Sequence, residues 1–247
     1  MIAPEPQPLP ADIRELAAAQ AELMSDVVAG LSDADLVAPT RCAGWLAAHL
    51  LVHVRLGLAE ATGSFAQPAG PSEATDRDFV SYWRDWPATI DPVTFATVRW
   101  HWANASAYSV ASEFRRHFSD TARAAAGVSR QAPGGRFRFQ DHVMEAEDIL
   151  AMWTVELVVH QLDLIAYVPG RYGPVPEALA LTARTLDGLF SSGSGWGSGS
   201  DSGFGGGGRP SSWDDVTYVL KGTGREPLDD GDREFLGERA AAFPAFG

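Results

Sequence analysis

Residues 153–163 read WTVELVVHQLD, and this stretch decides the fold. Apart from Thr154, the positions flanking Glu156 and His160 are apolar as far as Gln161. A spacing of four places the glutamate and the histidine on one face of a helix. Because a carboxylate on a core-facing stripe is costly unless it is paired or bound to a cation, the two side chains either hydrogen-bond to each other or bind one metal ion. The stretch predicts a long buried helix over about residues 140–168.

Three further segments repeat apolar residues at helical spacing. The first two cover about residues 11–31 and 44–63. The third begins at Asp91-Pro92 and extends to about residue 126, and this helix could be interrupted. Strand-like alternation is scarce. Four substantial helices with short or medium connections predict an all-α protein built on a four-helix bundle.

The C-terminal part reads as a short, mainly helical extension. We predict a bundle over residues 1–170 and an extension over residues 171–247, with helical character at about 176–190, 213–221 and 230–241. The segment 191–209 is dominated by Ser and Gly, which is typical of a flexible loop.

Composition excludes several classes of function. The formal net charge of −13 disfavours nucleic acid and anionic membrane surfaces as partners. The sequence contains no run of about 18 apolar residues, so no transmembrane helix is predicted. The proline-rich start does not resemble a signal peptide. The single cysteine, Cys42, allows neither a disulfide framework nor a cysteine zinc finger within the chain. We therefore expect a cytoplasmic protein.

A second histidine strengthens the metal interpretation. His53 falls on the apolar stripe of the predicted second helix, beside Leu46 and Leu50. A lone histidine there is more often a hydrogen-bonded core residue than a ligand. Two imidazoles and one carboxylate on facing helices would leave a fourth metal position for water or substrate, as in catalytic zinc sites.

Two segments of the sequence resemble a known family. Residues 31–36 (LSDADL) and 39–45 (PTRCAGW), followed by His53, are similar to the N-terminal region of mycothiol-dependent maleylpyruvate isomerases. Residues 156–163 resemble the Glu-x-x-x-His-x-x-Asp signature of the same family. The resemblance covers about residues 10–170 and is typical of the DinB-like metal-binding superfamily.

The resemblance implies a fold, a metal and a cofactor. It implies a DinB-like four-helix bundle with Zn²⁺, or another divalent metal, held by His53, Glu156 and His160. It also implies mycothiol, or a related low-molecular-weight thiol, acting on a small electrophilic substrate. In the isomerases the thiolate adds to an activated double bond, permits rotation and leaves, while related members transfer a thiol to other electrophiles. Two alternatives stay open: hydrolysis by zinc-bound hydroxide, and a metal-binding bundle that is not an enzyme.

Other residues are assigned by their position relative to these ligands. His49, one turn before His53, stands where many relatives carry a short polar residue, and it could orient His53, replace it or face solvent. Asp163 is expected to support the site from outside the ligand set, and Trp45 and Trp153 to wall the pocket. Arg225 belongs to a Gly-Arg pair that resembles one near the C-terminal end of the family's sequences. It could bind a substrate carboxylate, or it could be a surface arginine at a helix C-terminus. The isomerases append a mixed α/β domain, which residues 174–247 do not resemble. Nothing in the sequence fixes the oligomeric state.

Overall fold

The computed structural model describes residues 8–84, 95–168, 170, 172–191 and 209–245. Within these ranges the chain is mainly helical and carries one small antiparallel hairpin. The elements in chain order are α1 (Ile13–Ala29), α2 (Asp33–Leu36), α3 (Ala47–Ser64), α4 (Ser81–Arg84), α5 (Phe95–Ser106), α6 (Ala111–Gln131), β1 (Arg136–Phe139), β2 (His142–Glu145), α7 (Ala146–Ile165), α8 (Pro176–Ser191), α9 (Asp215–Gly222), α10 (Asp230–Leu236) and a 3₁₀-helix (Gly237–Ala242).

Helices α1, α3, α6 and α7 form the four-helix bundle. Both α1 and α3 pack against α6 and α7. Helix α7 is buried along nearly its whole length because α1, α3, α8 and the hairpin surround it. This explains why its sequence is apolar on every side rather than on one stripe. The predicted four-helix bundle is confirmed.

The start of α7 corrects one prediction. The helix expected from residue 140 begins at Ala146, because residues 136–145 form the β1–β2 hairpin. Phe137 and Phe139 point into the core and alternate with two arginines, which is the period of a half-buried strand. Gln140 has a φ of 52° in the turn, and it lines the cavity described below.

Two other predicted segments lie partly outside the described residues. The helix expected from Asp91-Pro92 to residue 126 is divided into α5 and α6 around residues 107–110, whereas Asp91-Pro92 itself lies outside the described residues. Most of the Ser/Gly segment 191–209 also lies outside them.

The C-terminal helices attach to the bundle through α8, which packs on α7, and α9 packs on α8. A buried amide network joins the two parts. Gln20 Nε2 donates to Gln161 Oε1 at 2.6 Å, Gln161 Nε2 donates to the Tyr172 carbonyl at 2.8 Å, and Val175 N donates to Gln20 Oε1 at 3.0 Å. Because each of these contacts satisfies a buried polar group, the network fixes α8 beside α1 and α7. The division at residue 170 stays a prediction.

No helix in the described ranges is both long enough and apolar enough to cross a membrane.

Candidate metal centre

Three side chains from two helices converge on one point. His53 lies on α3, and Glu156 and His160 lie one turn apart on α7. Glu156 Oε1 is 3.0 Å from His53 Nε2 and 3.1 Å from His160 Nε2. One ligand atom from each residue lies within 4.8 Å of the other two. The structure therefore brings together the three residues that the sequence singled out.

Burial and charge act against each other in this cluster. Burial alone would raise the pKa of Glu156, but the charge of His160 and hydrogen bonds from both histidines outweigh it and lower that pKa. Burial would lower the pKa of His160, but the charge of Glu156 and the hydrogen bond to Asp163 raise it. The carboxylate is thus held ionised, and positive charge is favoured beside it.

Asp163 supports His160 from the other side of its ring. Its side chain is fully buried, and Oδ2 lies 3.0 Å from His160 Nδ1 and 3.2 Å from Cys42 Sγ. The Arg225 guanidinium completes the cluster, with Nε 3.4 Å from both carboxylate oxygens. Although burial raises the pKa of Asp163, the hydrogen bond from His160 and the charge of Arg225 lower it. An ionised Asp163 accepts a hydrogen bond from the Nδ1–H of His160, so that Nε2 faces Glu156.

The donor set fits a divalent metal. Zinc takes histidine nitrogens and carboxylate oxygens at about 2.0–2.2 Å, so two ligand atoms of one tetrahedral ion lie roughly 3.3 Å apart. The N···O separations of 3.0 and 3.1 Å are close to that value. His160 is further held by a carboxylate on its distal nitrogen, the usual support of a histidine ligand.

His49 does not join this cluster. Its Nδ1 accepts a hydrogen bond from the Leu46 backbone N–H at 3.1 Å, which satisfies one of the free donors at the start of α3. Its ring faces Trp102, with centroids 5.8 Å apart. Burial, followed by the charge of His101, lowers the pKa of His49.

Aromatic rings cover His53. The Trp45 ring lies 5.4 Å from the His53 ring and 4.3 Å from His101, and His101 lies 5.5 Å from His53. His101 comes from α5 and is buried. His101 was not among the residues predicted for the site, and its place beside His53 depends on how α5 packs on α3.

A cavity of about 180 Å³ adjoins His53 and Glu156. Trp153 forms part of its wall, and the indole lies directly against α3 at Gly57, where an added Cβ would overlap the ring. Tyr82 and Gln140 also line it, and the Tyr82 hydroxyl donates to Gln140 Oε1 at 3.0 Å. Neither residue was predicted to belong to the site, because Gln140 was expected in a helix and no motif contains Tyr82.

Arg225 lies on the Asp163 side of the cluster rather than among the residues that line the cavity. Besides Asp163, its guanidinium contacts the Thr223 carbonyl, with Nη1 donating at 2.8 Å. In this arrangement the arginine binds a carboxylate of the protein itself.

The family follows from comparison with known proteins. The model of the mycothiol maleylpyruvate isomerase N-terminal domain matches residues 17–165, which is more than half of the chain. The chain belongs to this family. The matched segment contains the three converging residues and Asp163, whereas Arg225 lies beyond its end.

A solved structure is also similar to this chain, at low sequence identity. The crystal structure of a histidine-to-alanine variant of the mycothiol-dependent maleylpyruvate isomerase is similar at 14% identity and a TM-score of 0.49. The match covers 73% of this chain and 68% of that chain. The comparison with curated proteins finds no match.

Proposed function

We propose that this member of the mycothiol maleylpyruvate isomerase family binds one divalent metal ion, zinc, and uses a low-molecular-weight thiol, mycothiol or a relative of it. The reaction is an isomerisation or a thiol transfer on a small electrophile. One observation carries the proposal: two imidazole nitrogens and a carboxylate oxygen converge at the edge of a cavity of about 180 Å³.

The chain's own residues have separate tasks in this scheme. His53, Glu156 and His160 would hold the metal, and Asp163 would fix the tautomer of His160 through its Nδ1 proton. Zinc, when bound, lowers the pKa of a thiol at its open position so that the thiolate is available near neutral pH.

The cavity positions the electrophile beside this point. His53 and Glu156 line it, so a molecule inside it lies next to the ligand cluster. Trp153 and Trp83, both buried, form apolar walls that exclude water from the electrophile. Excluding water favours addition of the thiol over hydrolysis.

Thiol-dependent turnover tests the proposal. The zinc-loaded protein is incubated with a cis-configured conjugated carbonyl compound, with and without mycothiol, and the cis and trans forms and any thiol adduct are separated and quantified. We expect isomer or adduct only when both protein and mycothiol are present, and neither with the His160→Ala variant. Glu177→Gln, on the exposed first turn of α8, is the matched control and should retain turnover.

Two results would overturn the proposal. Turnover that is independent of mycothiol and yields a hydrolysed product would assign the site to a zinc hydrolase. Tight zinc binding with no turnover of any member of a panel of conjugated carbonyl compounds would leave a metal-binding bundle that is not an enzyme.

A further inference from the structure

Four large aromatic side chains contribute to the walls of the cavity beside the candidate metal centre. Tyr82, Trp83, Trp100 and Trp153 line it, contributed by α4, α5 and α7. Aromatic faces carry the negative end of the ring quadrupole, so they favour planar apolar groups and cations and disfavour anions.

Two carboxylates, two histidines and one tyrosine are the ionisable groups that line the cavity. Glu60 and Glu156 are its two carboxylates, and both act on Tyr82, whose pKa is raised first by burial and then by these two charges. No arginine or lysine is among its lining residues within the described part of the chain. Arg225, the family-like candidate for binding a substrate carboxylate, contacts Asp163 instead.

The cavity also offers a neutral polar partner. Gln140 Oε1 accepts a hydrogen bond from the Tyr82 hydroxyl, and the Gln140 amide N–H₂ is a donor at the cavity wall. An amide donor can hydrogen-bond a ketone, aldehyde or ester carbonyl without the desolvation cost of burying a carboxylate.

We propose that the electrophile is an uncharged, planar, unsaturated carbonyl compound without a free carboxylate, bound between the aromatic walls with Glu60 excluding anions. This inference rests on the proposed function, because it names the substrate class of the same site. A dicarboxylate would place its charges near two glutamates, with no arginine or lysine among the described lining residues to bind them.

The test uses binding rather than turnover. Methyl benzoate and benzoate are planar, do not react with thiols and differ by one charge. Their dissociation constants are measured by tryptophan fluorescence or calorimetry on the full chain, in metal-free and zinc-loaded forms. We expect the ester to bind at least tenfold more tightly than the anion in the metal-free form. The preference should be smaller when zinc is bound, because the ion can coordinate the benzoate carboxylate.

Charge variants show whether Glu60 causes the preference. Glu60→Gln should raise the benzoate affinity relative to the ester, and Glu60→Lys should raise it by about threefold to fivefold, as expected for one partly exposed charge. Glu177→Lys makes the same change of net charge on α8, outside the cavity, and should leave the ratio unchanged. Because Glu60 is exposed, these variants should fold, which circular dichroism checks.

The inference is overturned if benzoate binds the metal-free wild type as tightly as the ester, if the ester does not bind, or if the Glu60 variants leave the ratio in the metal-free form unchanged. These results are distinct from failure of the proposed function, since the metal-free protein is measured as well. A preserved preference for the ester in a chain that binds no zinc would support the cavity's selectivity and refute the metal chemistry.

Discussion

Asp163 Oδ2 lies 3.0 Å from His160 Nδ1, so the imidazole is held between two carboxylates, Asp163 on Nδ1 and Glu156 on Nε2. The first contact sets which nitrogen carries the proton, and the second places the other nitrogen beside Glu156 Oε1, which also contacts His53 Nε2. The same aspartate accepts from Cys42 and Arg225, so the α1-to-α3 connection and the C-terminal helices both meet behind this histidine.

The Asp163→Asn variant should bind zinc about tenfold to hundredfold more weakly, because the amide cannot hold the His160 tautomer as a carboxylate does. The dissociation constant is measured by competition with a chromogenic chelator. Asp187→Asn is the matched control, since Asp187 is also a mostly buried acid but hydrogen-bonds to Tyr218 away from the cluster. Equal zinc affinity in the Asp163 variant and the wild type would refute this supporting role.

Arg225 is expected to act through Asp163. Removing its guanidinium in Arg225→Gln leaves a buried carboxylate with one partner fewer, which should lower the free energy of unfolding by about 1–3 kcal/mol. Urea denaturation measures the change. Arg233→Gln, at an exposed arginine of α10, should change it by less than about 0.5 kcal/mol. If Arg225→Gln is as stable as this control, the contact with Asp163 contributes nothing to the fold.

Gly57 sets how closely α3 approaches α7 beside the site. A Cβ at this position would overlap the rigid Trp153 indole, so Gly57→Ala should destabilise the protein by about 1–3 kcal/mol through overpacking. Thermal or urea unfolding measures the loss. Gly63→Ala lies on the same helix with open space around the added methyl group, and it should be neutral or slightly stabilising. Equal stability of the two variants would contradict the close packing.

The carboxyl group of Asp148 predicts a pH dependence of stability. Burial raises its pKa from 3.8 to about 6, assisted by neighbouring acidic side chains and opposed by the hydrogen bond from the Phe79 N–H. The folded state therefore binds the proton more tightly than the unfolded state, and the wild type loses stability as pH rises from about 4 to about 6. Asp148→Asn removes this loss.

The Asn variant should gain about 1 kcal/mol relative to the wild type between pH 4 and pH 7.5, a figure reduced to allow for partial exposure. Urea midpoints at the two pH values measure the gain. Asp120→Asn, at an exposed ion pair with Arg116, is the control and should show no such trend. A stability difference that is constant with pH would show that Asp148 does not titrate in this window.

The sequence predicted the bundle well because helical periodicity is a local property. The spacing of Glu156 and His160 placed both on one helix face, and the stripe containing His53 faced the same core. The hairpin was missed although Phe137 and Phe139 alternate with arginines, because four residues per strand give too short a pattern beside a long apolar helix.

The surroundings of the candidate ligands could not be predicted in this way. Cys42 and Arg225 both contact Asp163, although they lie 121 and 62 residues from it in the sequence, respectively. The place of His101 over His53 depends on the packing of α5 against α3. Such contacts are set by tertiary packing, and local periodicity carries no information on them.

The metal content of the purified protein tests the central claim most directly. Elemental analysis is run on the wild type, on a His53→Ala/His160→Ala double variant and on a His117→Ala/His142→Ala control, whose histidines lie outside the cluster. We predict about one zinc per chain in the wild type and the control, and none in the first variant. Failure of the wild type to retain or take up zinc, or full zinc content in the His53/His160 variant, would contradict the account.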